Sequence, residues 1–515
     1  MNLTLQTVWD ALIPQLTALA HGGAAAISVT SLLFLGFFVA VALVHYLLPR
    51  VARPYFLLLV SYAYYCYGPA NRALFPVLLG ATVVTWLCGL IIGKCRVRAV
   101  RVLCLLISIF SGCGILLYYK YWNLLAEGAA ALLGANTPAA LAPHFDLITP
   151  LGLSYFTFAA LSYSIDVFKR RCRVEYNLFH YALFVSFFPI MVTGPIERYP
   201  HLREQIKRPR RFSYQRCAGG AFRMLWGYFK KMVLADNLAL YVSRVYSDPS
   251  AMDGPNLVMA TVLFAFQLYM DFSGCCDIAL GAARILGFDL IENFRSPFEA
   301  RTFSELWSRW HISMTGWFRD YIYIPLGGNR CHPVRHLMNL VIVFVVSGLW
   351  HGADWRYLMW GLACGIVSVL AVLTRKPRAV LAQYNPLYRE AGIRNAIQRL
   401  IVFALFCLTM VFFASALYNA DPYGIYTGML QGWHGLASWD GVRSLLLDSG
   451  INGRLPVVLT CGSLIVLAAE HHGTNVARWI RSQCFILRWT LYYASCLAIL
   501  FFGAFGQSIF IYQNY

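Results

Sequence analysis

Apolar runs of about 20 residues, the length that crosses a hydrocarbon core as a helix, recur along nearly the whole chain. A bilayer core holds no water to satisfy exposed backbone groups, so each such run must be helical. Charge is correspondingly scarce: 13% of the 515 residues are Asp, Glu, Lys or Arg, against roughly a quarter in soluble domains. Mean hydropathy is +0.58. The expected fold class is therefore all-α, a polytopic integral membrane protein confined to one membrane-embedded domain over residues 1–515.

The formal net charge of +19 does not point to nucleic acid. Lys and Arg collect in short loops between apolar runs, as the positive-inside rule requires, and no aromatic-and-basic groove or zinc-finger spacing accompanies them. Fifteen cysteines are scattered singly apart from Cys275-Cys276, with no CxxC pair, so neither a disulfide framework nor a thiolate metal site is expected. No Lys or Arg precedes the first apolar run, Ile27 to Leu48. It reads as signal and anchor together rather than as a cleaved leader.

The basic loops orient the chain. Arg50 and Arg53 follow the first run, Lys94, Arg96, Arg98 and Arg101 follow the third, and KRRCR (169–173) follows the fifth, while the loop 121–147 carries no Lys or Arg. Only one apolar stretch, FHYALFVSFFPIMVTGPI, separates KRRCR from KRPRR (207–211). A single crossing there would strand one basic cluster outside, so 178–196 is expected to be re-entrant, broken by Pro and Gly against protein or a water-filled cavity. Further spans are expected near 218–242, 256–275, 337–353, 355–373, 397–418, 455–470 and 487–507. The total is about eleven or twelve crossings of a multi-pass plasma (inner) membrane protein, with the lipid bilayer as its first partner.

Between about 271 and 336 the apolar pattern breaks down, yet Trp307, Trp310, Trp317, Phe318 and Tyr321 recur at helical spacing. Ser304 to Tyr323 is expected as one amphipathic or partly buried helix. It carries His311 in SRWHIS; the next run, beginning near Leu337, ends on Trp350-His351. At 1.5 Å per residue its ~14 residues rise about 21 Å, which places His351 past the midplane. Each histidine follows a tryptophan, and ionisable groups at depth face a water-filled pathway or one another. A histidine can equally just bond a neighbouring helix. His332 and His336 have helical metal-ligand spacing, but Cys331 is the lone further candidate beside them and no acidic residue falls between Asp320 and Asp354, so no metal site is expected. Asp271 and Asp277 are expected to pair with Arg284 or with a neighbouring helix, or to shape a polar entry.

The stretches FSELWSRWHISMTGWFRDYIYIPLGGNR and NLVIVFVVSGLWHGADW resemble the core signature of membrane-bound O-acyltransferases, in particular the bacterial branch that includes the alginate O-acetylation membrane subunit. LGLSYFTFAALSYSIDVFKRR, SFFPIMVTGPIERYPHL and YMDFSGCCDIALGAARILGFDLIENFRSPF support it. The likeness covers roughly residues 30–420, with the motif-bearing core at about 148–373. Ser308 and Met314 depart from it, standing where a basic residue and a leucine are expected.

The resemblance implies helices around a central tunnel faced by His311 and His351, the latter as the catalytic residue. It implies an O-acyltransferase that moves acetyl from a cytoplasmic thioester, acetyl-CoA or another acyl carrier, to an extracytoplasmic polysaccharide, through a partner acetyltransferase. No tightly bound cofactor is implied. His351 would be the general base, since imidazole titrates near neutral pH. His311 would orient the donor, hydrogen-bond the oxyanion or bind the acceptor. Arg309 is a candidate donor-phosphate contact, and Arg319 reads as a snorkelling interface charge. D-alanyl transfer from a carrier protein, a transporter or flippase without covalent chemistry, and a structural subunit of an envelope complex are the alternatives.

Overall fold

The computed structural model describes residues 27–133, 148–384, 390–440, 443, 445, 455–470, 479–480 and 482–504. Among them every regular element is a helix, and there is no strand. Among the described residues seven helices are long and apolar enough to cross a membrane: Pro69–Lys94, Arg98–Ala130, Gly254–Ile285, Pro333–His351, Trp355–Leu373, Ala391–Tyr418 and Phe485–Phe502. Leu32–Leu47 and Leu178–Ile190 are shorter apolar helices. The other expected spans are short or interrupted. Arg53–Tyr65 has 13 residues, Leu153–Phe168 and Leu455–Glu470 have 16 each. The run near 218–242 is divided by a π-type turn, Phe229–Ala235, between Tyr214–Tyr228 and Asp236–Ser247. His471-His472, which reads in sequence as a loop after a span, lies outside the described residues.

Two compact units are present. One comprises the residues up to Met224 with Cys275–Ile291, the other Leu225–Gly274 with the residues from Glu292 onward. In the first, Pro69–Lys94, Arg98–Leu116 and Leu153–Phe168 pack together. Leu153–Phe168 is buried on almost every face, so it needs no lipid-facing apolar stripe and carries Ser, Thr and Tyr freely. Gly89 makes room for it: a Cβ there would stand 2.4 Å from the Tyr163 ring.

The segment expected to be broken by Pro and Gly is broken. Asn177 caps its helix by accepting from Phe179 and His180 N–H at 2.9 and 3.3 Å. That helix stops at Ser186, and a single 3₁₀ turn, Phe188–Ile190, follows. Phe187 leaves the helical region, with ψ 107°, and Pro189 has no N–H to return to Val185 and would clash with its carbonyl in a continued helix; the Phe188 N–H donates instead to Ser61 Oγ at 3.1 Å.

In the second unit Pro333–His351 and Trp355–Leu373 form a tight hairpin. Small residues set the approach, as in membrane helix pairs generally. A Cβ on Gly348 would fall 2.3 Å from the Tyr357 carbonyl oxygen, and one on Gly361 2.4 Å from that of Phe344. Asp354 starts the return helix by accepting from Arg356 N–H at 2.8 Å.

One expectation fails here. The span expected near 256–275 does not end there, because Gly254–Ile285 runs unbroken for 32 residues. Its acids are paired, which lets them stay inside: Asp271 with Lys231 at 2.7 Å, Asp277 with Arg223 at 2.8 Å.

Candidate active site

The stretch Ser304–Tyr323, expected as one helix, is two short helices, Phe303–Arg309 and Ile312–Phe318, followed by a π-type turn, Arg319–Tyr323. Thr302 caps the first by accepting from Glu305 N–H at 3.1 Å. The chain breaks at His311, which takes left-handed backbone angles, φ 45° and ψ 54°. Such angles are uncommon for a residue with a Cβ. What holds them is a bond back to the preceding loop: Ile312 N–H donates to the Asn293 carbonyl at 2.9 Å.

His311 is completely buried, as is Asn293. Asn293 Oδ1 lies 2.7 Å from Ser313 Oγ, 3.2 Å from Ser313 N and 3.3 Å from His311 Nδ1. A backbone N–H can only donate, so the Asn293 atom facing this cluster is its oxygen. His311 Nδ1 must then carry the proton, and Nε2 is left as the acceptor. Nε2 is buried with no hydrogen-bond partner among the described residues. Burial disfavours the imidazolium and lowers the pKa, so the ring stays neutral with its lone pair available.

His351 closes the helix Pro333–His351 and is 2% exposed. Its ring lies against Trp350 at 4.6 Å, Trp360 and Phe413 at 5.0 Å each, and Tyr357 at 6.2 Å. Trp350 is also 6.1 Å from the His311 ring, whose other neighbour is Phe272 at 4.7 Å. The two histidines, 40 positions apart, thus share one aromatic wall. Two further polar atoms in that wall, Nε1 of Trp307 and of Trp360, are buried without a hydrogen-bond partner, their rings 5.9 Å apart. Leaving a buried polar atom unsatisfied costs about 1–3 kcal/mol. One acceptor, His311 Nε2, and two donors, the Trp307 and Trp360 indoles, are thus left unsatisfied in one aromatic cluster.

Arg309 ends the helix Phe303–Arg309. Its guanidinium is held by Glu305 Oε1 at 2.8 and 3.1 Å and reaches the carbonyls of Arg295 and Ser296 at 3.4 Å. It ties two loops together. Arg319 is largely exposed beside Asp320, and the His336 ring rests near Tyr323. Among the described residues no three His, Cys, Asp or Glu cluster as metal ligands.

Sequence reasoning missed Asn293 and a charged group deeper in the same unit. Lys231, 1% exposed, bridges Asp236 at 2.6 Å and Asp271 at 2.7 Å. Beside it Lys230 pairs with Glu470 at 3.0 Å, and Glu470 also receives the Tyr269 hydroxyl and the Trp226 indole. Two lysines inside an apolar run were the available signal, since charge at depth is rarely idle.

Comparison with known proteins places these residues in context. The model of the membrane-bound O-acyltransferase family matches residues 96–415, a range that includes both histidines. A probable alginate O-acetylase of Pseudomonas syringae pv. tomato is 35% identical over 339 residues, covering 64% of each chain. The chain thus spans about 64% of that relative's length. A peptidoglycan O-acetyltransferase of Helicobacter pylori is 29% identical over 94% of each chain. A teichoic acid D-alanyltransferase of Streptococcus thermophilus is 29% identical over 44% of this chain and 57% of its own.

Proposed function

Because this chain belongs to the membrane-bound O-acyltransferase family, we propose that it transfers an acyl group, acetyl in the simplest case, from a cytoplasmic thioester to a hydroxyl acceptor of the cell envelope. The observation that carries the reading is the pair of buried histidines on either side of Trp350, beside open donors and an open acceptor.

In this reading the acceptor oxygen attacks the thioester carbonyl, a C–O bond forms and the C–S bond breaks. His351 takes the hydroxyl proton and returns it to the departing thiolate. General-base catalysis of this kind contributes about 10²–10⁴-fold. His311 Nε2, an acceptor, fits a group that donates: the acceptor hydroxyl or an amide N–H of the donor arm. It does not fit the oxyanion. The indole N–H of Trp360, against His351, supplies that donor instead. A dry site limits hydrolysis of the thioester.

The relatives act, by name, on alginate and peptidoglycan, and an extracytoplasmic polysaccharide is the acceptor class we favour, reached through a separate acetyltransferase, with acetyl-CoA as donor and the inner membrane as the location. The test is transfer of label from acetyl-CoA by the purified chain in proteoliposomes, wild type beside His351→Ala. Label moved by the wild type and not the variant supports the reading. Equal transfer by both removes His351 from the chemistry. No thioester consumption by the wild type removes acetyl-CoA as the donor.

A further inference from the structure

The first unit contains a cavity that the proposed chemistry does not use. It measures about 860 Å³ and lies where the helices Pro69–Lys94, Arg98–Leu116 and Leu153–Phe168 meet their basic loops. Lys94, Arg96, Arg101, Arg170, Arg171 and Arg173 line it, and so does Arg203; no carboxylate does.

The nearby acids are accounted for. Glu175 is buried and receives Lys207 at 2.6 Å, the Tyr199 hydroxyl at 2.6 Å and the Asn177 N–H at 3.0 Å. Asp166 is buried too and does not line the cavity. Arg203 is spent on Glu175 and Glu204, and Arg101 donates to the Phe168 carbonyl at 2.9 Å. Lys94, over the Tyr176 ring at 5.0 Å, and Arg96, Arg170, Arg171 and Arg173 form no ion pair among the described residues. Five uncompensated cations around one cavity repel one another, and a bound anion relieves that repulsion.

The surroundings say which anion. Arg98–Ala130 buries only 17% of its most apolar window. Val97, Val100, Leu103, Ile107 and Phe110 are exposed along it, 38 to 70%. On the neighbouring span Leu87 and Ile91 are exposed as well. On both helices, residues exposed and apolar stand within a few positions of ones that line the cavity, so that a ligand with a phosphate head and acyl chains has a place for both parts. Basic loops also mark the leaflet where anionic lipid is attracted.

We propose that this cavity binds the headgroup phosphate of an anionic phospholipid, whose acyl chains lie against Val97, Val100 and Leu103. The probe is phosphatidylglycerol added to the full chain in neutral detergent, with phosphatidylcholine, whose phosphate is offset by its choline cation, as the control of zero net charge. Retention of lipid is read by native mass spectrometry and Tm by thermal unfolding. The R170Q/R171Q/R173Q variant should bind phosphatidylglycerol about 10²-fold more weakly than wild type, at about fivefold for each of the three headgroup-level charges, while R170K/R171K/R173K keeps most of the affinity. The lysine variant also keeps the test readable if the glutamine one fails to fold. Inorganic phosphate and CoA form separate arms. If either alone reproduces the whole Tm shift, the ligand is a free anion and the lipid assignment falls. Equal retention of phosphatidylglycerol and phosphatidylcholine, or undiminished binding by the glutamine variant, overturns it as well.

Discussion

Asn293 does at the scale of one residue what no motif announces. Its Oδ1 gathers Ser313 and His311 and so decides which imidazole nitrogen holds the proton. A single Asn in a polar stretch has no periodicity and no partner visible in sequence, whereas each histidine was legible because it ends an apolar or aromatic run after a tryptophan. Asn293→Ala removes the shared acceptor. It should cost about 1–3 kcal/mol of stability and about 10²-fold in kcat. Steady-state transfer rates beside thermal unfolding separate the two effects. Trp360→Phe keeps the ring against His351 but deletes the N–H. If that N–H meets the developing oxyanion, kcat falls about 10²–10³-fold with little change in Tm; an unchanged kcat would remove Trp360 from that role.

At the scale of elements, the aromatic spacing of 304–323 was legible but its break was not. No Gly or Pro marks Trp310-His311; the interruption comes from Asn293, 18 positions earlier in the chain. The left-handed backbone at His311 makes a comparison that separates conformation from chemistry. Both His311→Ala and His311→Gly lose the imidazole, so both should be inactive to a similar degree. Glycine tolerates φ 45° and alanine does not, so the glycine variant should be the more stable by about 1 kcal/mol. Equal unfolding temperatures would mean that the backbone relaxes once the side chain is gone. The hairpin that carries His351 was foreseen as two spans, since Pro333–His351 and Trp355–Leu373 are long apolar runs. How closely they pack was not, because Gly348 and Gly361 read in sequence as ordinary membrane-helix glycines. Gly361→Leu drives a side chain into the Phe344 carbonyl; it should destabilise by about 1–3 kcal/mol and depress transfer through displacement of His351.

Across the whole molecule, composition alone secured the all-helical membrane class, because scarcity of charge admits few alternatives. It was less informative about span lengths. A helix wrapped in protein, such as Leu153–Phe168, obeys packing rather than bilayer thickness, and a helix whose acids are paired, such as Gly254–Ile285, continues where hydropathy says it should stop. The loops between spans carry their own electrostatics, and these have a direction in pH. His201, in the short helix Tyr199–Lys207, lies 2.8 Å from Glu197 Oε2. That hydrogen bond raises the imidazole pKa, against an opposing contribution from burial. A raised folded pKa means a contribution present in full below the unfolded value, about 6.5, and lost as pH rises through the folded one. Glu175 runs the other way. Burial works against its ionisation, but the bonds from Lys207 and Tyr199 prevail and hold its pKa down. Its contribution is present above the usual carboxylate range and lost as pH falls through the folded value. The His201 contribution should therefore fade as pH rises above the usual imidazole value of about 6.5, so His201→Gln should be less stable than wild type at acid pH and converge on it at alkaline pH, both keeping the loss that follows protonation of Glu175. The half-exposed His201 limits the difference to less than about 1 kcal/mol, shrinking further in high salt. Unfolding temperatures of both proteins in one detergent, at two salt concentrations, decide it: parallel profiles would mean that the Glu197 pair contributes nothing to the fold.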